Sequence, residues 1–312
     1  MKYTANLFSL TFSALFNFLS PEKPIIIKKT EINYKDYPIK QYVDSITPKN
    51  EVLHKKAFDY IDSIYLFHII YKSDSLNICG YISMPKKHGS YPCIIYNRGG
   101  NKDLNNLKVA DVVTTMGKIA STGYVVIAST YRGNSCSKGN DEFGGADVND
   151  VLNLMNALGE IPYADTSRIG MYGFSRGGMM TYLCLTKTNR IKAAVTVGAP
   201  SDLAELAANR TDMESVYKEL IPNYALSKQL ELDKRSAIKW PCNFPKTCPI
   251  LLLHGESDIR VPASQAKKLS IQLSKCKIPH KLIIFDQDDH SLSLHQKEAS
   301  ELIINWFDKY LR

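Results

Sequence analysis

Ile169-Gly170-Met171-Tyr172-Gly173-Phe174-Ser175-Arg176-Gly177-Gly178-Met179-Met180-Thr181-Tyr182-Leu183 decides the fold. An apolar run leads up to Gly173, glycines bracket a serine, and apolar residues then resume at helical spacing, so the segment reads as strand, sharp turn, helix. A serine on such a turn takes strained backbone angles. The flanking glycines let strand and helix backbones approach without Cβ clashes and lift Oγ above the sheet. Ser175 is therefore a candidate nucleophile, and the start of the helix offers the Arg176 amide to a developing oxyanion.

Around this turn, short β-rich runs alternate with longer helical stretches. Strands are expected at 63–71, 76–84, 91–97, 124–130, 167–173, 191–197, 249–254 and 281–285, and helices at 106–121, 146–158, 176–187, 263–274 and 296–311. That alternation predicts an α/β protein, a mainly parallel central sheet with helices on both faces, in one domain over 60–312. Residues 201–247 interrupt it with charged, helix-like sequence ending at Trp240 and Pro241, which reads as a short helical insert over the sheet edge. Residues 1–59 are polar with weak periodicity and read as an N-terminal arm or short helical extension. Within them, Lys2 and the broken apolar stretch from Leu7 to Leu19 fit either a weak export signal at 1–20 or an amphipathic helix.

A serine nucleophile needs a general base, and the base needs an orienting acid; in this kind of fold both follow the serine, acid before base. The buried strand Pro249-Ile250-Leu251-Leu252-Leu253-His254-Gly255 opens onto Glu256-Ser257-Asp258-Ile259-Arg260-Val261-Pro262, where an acid can turn toward the site. The next strand, Lys281-Leu282-Ile283-Ile284-Phe285, exits into Asp286-Gln287-Asp288-Asp289-His290-Ser291-Leu292. Each candidate stands just past the carboxyl end of a strand, where open α/β sheets put their sites. Asn97-Arg98-Gly99-Gly100-Asn101 follows the third strand, and its glycines leave a main-chain amide unobstructed, so Gly99 is the expected second oxyanion donor.

Together with Tyr131-Arg132-Gly133 and Asp141-Glu142-Phe143-Gly144-Gly145-Ala146-Asp147-Val148-Asn149-Asp150, these segments resemble the catalytic domain of the prolyl oligopeptidase family, within the α/β-hydrolase fold. The resemblance runs from about residue 60 to the end of the chain. It implies Ser175 as nucleophile, Asp258 as acid, His290 as base, and the Gly99 and Arg176 amides as oxyanion donors. It also implies a serine peptidase acting through an acyl-enzyme. Two departures stand out. Fewer than sixty residues precede the hydrolase pattern, where larger members carry a β-propeller that filters substrates, so a carboxylesterase acting on small acyl esters is the alternative. Arg98 stands where members often have Tyr or His, which removes that side-chain donor and leaves the amide. A third reading, of another class, is a noncatalytic binding module on the same fold.

The chain has 312 residues, 44% hydrophobic and 22% charged, the balance of a globular protein. Its net charge of +8 is spread among acidic residues, as in Lys28, Lys29, Glu31, Lys35 and Asp36, which suits a solvated face and not a nucleic-acid groove. No integral membrane span and no nucleic-acid partner are expected; small peptides or acyl esters are, and a homo-oligomer is compatible with the sequence. No G-x-G-x-x-G follows a strand, so no nucleotide or flavin cofactor is expected. The seven cysteines form no C-x-x-C pair and have no histidine at ligand spacing, which argues against a metal site. Their odd count predicts mostly buried free thiols in the cytoplasm; if 1–20 directs export, Cys242 and Cys248 are close enough to pair.

Overall fold

The structure, a computed structural model, describes residues 24–33, 58–102 and 106–312. Nine strands form one sheet: β1 Ile26–Glu31, β2 Ile64–Ser73, β3 Leu76–Pro85, β4 Tyr91–Asn97, β5 Val125–Ser129, β6 Ala164–Phe174, β7 Ile191–Val197, β8 Ile250–Gly255 and β9 His280–Phe285. Their order is β1-β2-β3-β5-β4-β6-β7-β8-β9. The pairs from β1 to β5 through β3 are antiparallel, and from β5 across to β9 every pair is parallel. The functional loops therefore leave the same, carboxyl edge of the parallel strands.

The helices are α1 at 109–121, wound as a π-helix over Val112–Gly117; α2 Asp147–Leu158; α3 Arg176–Leu185; α4 Leu203–Asn209; α5 Thr211–Leu220; α6 Tyr224–Lys234; α7 Ala263–Lys275; and α8 Gln296–Leu311. The α1 start falls later than expected because the Lys108 amide donates to Asp111 Oδ2 at 2.9 Å, ending the preceding coil there.

Both sheet faces are covered, and the strands show it residue by residue. Cys93, Ile95, Ile127, Ile250 and Leu252 point to one face, against Val151 and Leu154 of α2, Met179 and Met180 of α3, and Leu269 of α7. Ile94, Tyr96, Val126, Leu251 and Leu253 alternate with them and meet Val113 and Met116 of α1 and Ile303 and Phe307 of α8. Continuous apolar runs of this kind are what a doubly covered parallel sheet requires. The insert joins the first face through Leu203, Leu206, Met213, Tyr217 and Leu232, so it is part of the core.

Two expectations are corrected. β1 lies in the segment read as an arm or helical extension. Its Ile26-Ile27-Lys28-Lys29-Thr30-Glu31 is almost wholly exposed, an edge strand whose charges guard it against further pairing and erase the apolar alternation that marks a strand. Glu160 holds its start by accepting from the amides of Ile25 and Ile26 at 2.5 and 2.9 Å. The cysteines are the second correction: Cys79 bonds to Cys136, and Cys242 bonds to Cys276, not to Cys248. Cys242, at the end of the insert, meets Cys276 at the end of α7, a proximity of 34 positions that sequence does not display. Cys93, Cys184 and Cys248 are buried free thiols. The candidate export signal at 1–20 lies outside the described residues. Among those described, no helix is long and apolar enough to cross a membrane.

Candidate active site

β6 ends at Phe174, and Ser175 takes φ 53° and ψ −125° before α3 begins at Arg176. For a residue with a Cβ these angles are strained. They are held by bonds on both sides, Ser175 N–H to the Val197 carbonyl and Gly178 N–H to the Ser175 carbonyl, each 2.8 Å. Gly177 is obligatory: a Cβ there would stand 1.9 Å from the Asn97 carbonyl oxygen, because the first turn of α3 rests on the end of β4.

His290 arrives from the loop after β9. Its Nε2 is 2.9 Å from Ser175 Oγ and its Nδ1 is 2.7 Å from Asp258 Oδ2. An ionised carboxylate only accepts, so Nδ1 carries the proton and Nε2 is left to accept from the serine. The Phe174 ring lies 5.2 Å from the imidazole on one side. On another side Gly198, at φ +56°, comes so close that a Cβ there would be 3.0 Å from the ring.

Asp258 follows β8. Its Oδ1 accepts from the amides of Arg260 and Val261 at 2.8 and 2.9 Å, and Oδ2 faces His290 Nδ1 at 2.7 Å and His254 Nε2 at 3.1 Å. Burial disfavours its charge, but the bonds from His254, His290 and the Val261 amide outweigh that and hold the carboxyl well below the usual range. The site therefore keeps an anion beside the imidazole at any ordinary pH.

The structure brings Ser175, Asp258 and His290 together and leaves their rivals elsewhere. Glu256 is exposed and ion-paired with Lys267 at 3.1 Å. Asp289 accepts from the amides of Ser291 and Ser293 and from the Ser293 hydroxyl. His280 is engaged with Ser270 and the Ile278 carbonyl, and His295 with Asp288. The backbone of Gly99 abuts Ser175, since a Cβ on it would lie 3.1 Å from Ser175 Cβ. Arg176, as first residue of α3, has a main-chain amide with no partner four residues back.

Three features carry the site without announcing themselves in the sequence. His254, buried in β8, donates to Asp258. Asp288 organises the His290 loop: its carboxylate accepts from the amides of Asp289, Leu294 and His295 and from the His295 ring, which together overcome burial and lower its pKa. The third is a buried clamp on the Arg176 side chain, with Asp141 at 2.6 and 2.8 Å and Asp147 at 2.7 Å. Burial opposes the Asp141 charge, but Arg176, the Phe143 amide and Asn134 hold its pKa at about 2. An arginine inside the strand-turn-helix was the available signal, because a guanidinium buried there demands carboxylates from some other loop. Among the described residues, His68, Cys79 and Cys136 cluster as metal ligands do, but the two sulfurs are joined in a disulfide and offer no thiolate.

The sequence profile of the prolyl oligopeptidase family matches residues 111–312. The chain is 29% identical over 221 residues to a Bacillus subtilis (strain 168) protein named "Uncharacterized peptidase YtmA", covering 69% of this chain and 82% of that one. It is 24% identical over 253 residues to Dipeptidyl-peptidase 5 of Porphyromonas gingivalis, covering 77% of this chain and 37% of the relative. Among solved structures, the acylaminoacyl peptidase of Pyrococcus horikoshii superposes with a TM-score of 0.72 at 26% identity, over 85% of this chain and 44% of that one. This chain thus spans less than half of the larger relatives. The extent of the family match, over an α/β-hydrolase sheet, makes the chain a member of the prolyl oligopeptidase family of serine peptidases.

Proposed function

We propose that the protein is a serine hydrolase that cleaves the amide bond of short or N-acylated peptides through an acyl-enzyme. The observation that carries this is the unbroken line from Asp258 through His290 to Ser175, at 2.7 and 2.9 Å, with the serine on a strained strand-to-helix turn. In the proposed reaction, His290 Nε2 takes the Ser175 proton as Oγ attacks the carbonyl carbon. The oxyanion is received by the Gly99 and Arg176 amides, and the imidazolium returns the proton to the leaving amine. Water then repeats the sequence on the ester of Ser175, releasing the acid and restoring the serine. Asp258 orients the ring and stabilises its positive charge.

The peptide preference draws on the dipeptidyl and acylaminoacyl peptidases among the relatives. A carboxylesterase is the second reading, because the same serine, imidazole and main-chain amides act on an ester carbonyl as they do on an amide one. The two disulfides favour an oxidising compartment over the cytoplasm. A fluorophosphonate probe tests the core of the proposal: wild-type protein is expected to label at Ser175, and Ser175→Ala to lose both labelling and turnover, the latter by about a millionfold. A folded Ser175→Ala protein that still labels would place the nucleophile elsewhere.

A further inference from the structure

We infer that Tyr131 and Arg98 are positioning residues that aim the Gly99 oxyanion amide: the Tyr131 hydroxyl grips the Arg98 carbonyl, in the same peptide plane as that amide, and the Arg98 guanidinium grips the Gly99 carbonyl and holds the plane that follows. The inference rests on the hydrolase reading given above.

A trans peptide is planar, so gripping the carbonyl of one residue sets the direction of the next residue's N–H, which points the opposite way. Tyr131 Oη donates to the Arg98 carbonyl at 3.2 Å. That carbonyl faces the interior, where a Cβ on Gly177 would be only 2.7 Å from it. The Gly99 N–H therefore faces the opposite way, on a stretch of main chain that runs past the nucleophilic turn, since a Cβ on Gly99 would lie 3.1 Å from Ser175 Cβ. One plane further on, Arg98 Nη1 donates to the Gly99 carbonyl at 3.0 Å, which fixes the Gly100 N–H in the same manner. The guanidinium is anchored in turn by the Thr130 carbonyl, 3.1 Å from Nη2, and by the Tyr131 ring, 4.9 Å away.

Two costs point to a purpose beyond packing. Arg98 is 1% exposed, and all its side-chain hydrogen bonds go to main-chain carbonyls, a placement of charge that an apolar side chain would avoid. Tyr131 sits at φ 62°, strained for a residue with an aromatic side chain, and its amide is tied to Ser129 Oγ at 2.9 Å. The glycines that leave the oxyanion amides unobstructed also leave them free to rotate, and an oxyanion hole works only when its donors are oriented before charge develops. In this chain the Arg98 side chain turns inward and braces the main chain.

The test compares wild type with Tyr131→Phe, which removes one oxygen, and with Arg98→Met and Arg98→Lys. Fluorophosphonate labelling, steady-state kinetics on one p-nitrophenyl ester or anilide, inhibition by a trifluoromethyl ketone and thermal melting are measured on each. The expected result is a fall in kcat of about 10-fold to 100-fold for Tyr131→Phe, with KM within about twofold, and ketone affinity weakened by the same factor as kcat/KM. Arg98→Met is expected to behave likewise and Arg98→Lys to recover part of the loss. If Tyr131→Phe melts lower but keeps kcat and ketone affinity within about twofold of wild type, the hydroxyl is merely structural and the inference is overturned. Should Arg98→Met not fold, Tyr131→Phe decides alone. A wild-type protein that never labels brings down the hydrolase reading and this inference with it; a labelled wild type with an unimpaired Tyr131→Phe brings down only the brace.

Discussion

His254 Nε2 stands 3.1 Å from Asp258 Oδ2, the same oxygen that receives His290 Nδ1 at 2.7 Å. His254 Nε2 is also 2.7 Å from the Val261 carbonyl, so this nitrogen faces two acceptors and must carry a proton. Asp258 is thereby held from behind by a buried imidazole.

Replacing His254 with Phe is expected to lower kcat about 10-fold by letting the carboxylate swing, and to raise the Asp258 pKa by removing a bond to its charged form. The sign for stability follows. A depressed carboxyl pKa contributes stability that is complete above the unfolded value of about 4 and is lost as pH falls through the lower folded value. With His254 gone the folded value lies closer to the unfolded one, so less stability is lost as pH falls below about 4 and the acid limb is shallower. Urea unfolding between pH 3 and 7 checks it, and identical acid limbs for wild type and variant would contradict it.

Asp258→Asn is expected to lower kcat about ten-thousandfold at neutral pH, because the amide cannot hold the imidazole in the tautomer that accepts from Ser175. Glu256→Gln should change kcat by less than twofold, since Glu256 is exposed and pairs with Lys267 at the surface. Kinetics on the two purified variants settle the ranking, and the reverse order would reassign the acid.

Asp141→Asn leaves Arg176 buried with one carboxylate fewer, which is expected to cost about 3 to 5 kcal/mol. Because the Asp141 pKa is held at about 2, its contribution is present at neutral pH and fades between about 4 and 2. Thermal melts at pH 7 and pH 3 should therefore differ less in the variant than in wild type.

The parts of this architecture that follow from local pattern were legible in the sequence. The turn at Ser175 was, because a serine between glycines at a strand-to-helix junction has few other uses, and so was each buried strand whose apolar run is continuous. The edge strand β1 was not: its Lys28, Lys29 and Glu31 serve solvation and suppress the only signal a strand gives. Nor were His254 and the Asp141–Arg176–Asp147 clamp, whose partners meet only when separate loops converge on one end of the sheet. Chemistry fixed by a turn is written locally. Chemistry that satisfies a buried charge is written across the chain.

The cysteine pairing has a direct check. Unfolded, unreduced protein is expected to present three reactive thiols to a disulfide-exchange reagent, Cys93, Cys184 and Cys248, and seven after reduction. Peptide mapping without reductant should recover Cys79 linked to Cys136 and Cys242 linked to Cys276. Cys242→Ser should lower stability by about 2 to 4 kcal/mol through the freed loop, whereas a Cys242–Cys248 peptide would refute the assignment.

The bond that is cleaved is decided by comparing leaving groups. An alkoxide or phenoxide departs without the full protonation an amine requires, so ester hydrolysis asks less of His290 as a general acid. A triad with the geometry found here is therefore expected to turn over short p-nitrophenyl esters whatever its natural substrate. Amides demand that the imidazolium formed on attack return its proton to the departing nitrogen, which needs Asp258 anionic and His290 held firmly between it and Ser175, as it is at 2.7 and 2.9 Å. Acylaminoacyl and dipeptidyl anilides are accordingly expected to be cleaved, with kcat/KM rivalling the best ester, and Asp258→Asn to depress anilide cleavage more than ester cleavage. Robust ester turnover with no amide cleavage across varied side chains would make the protein a carboxylesterase built on a peptidase scaffold.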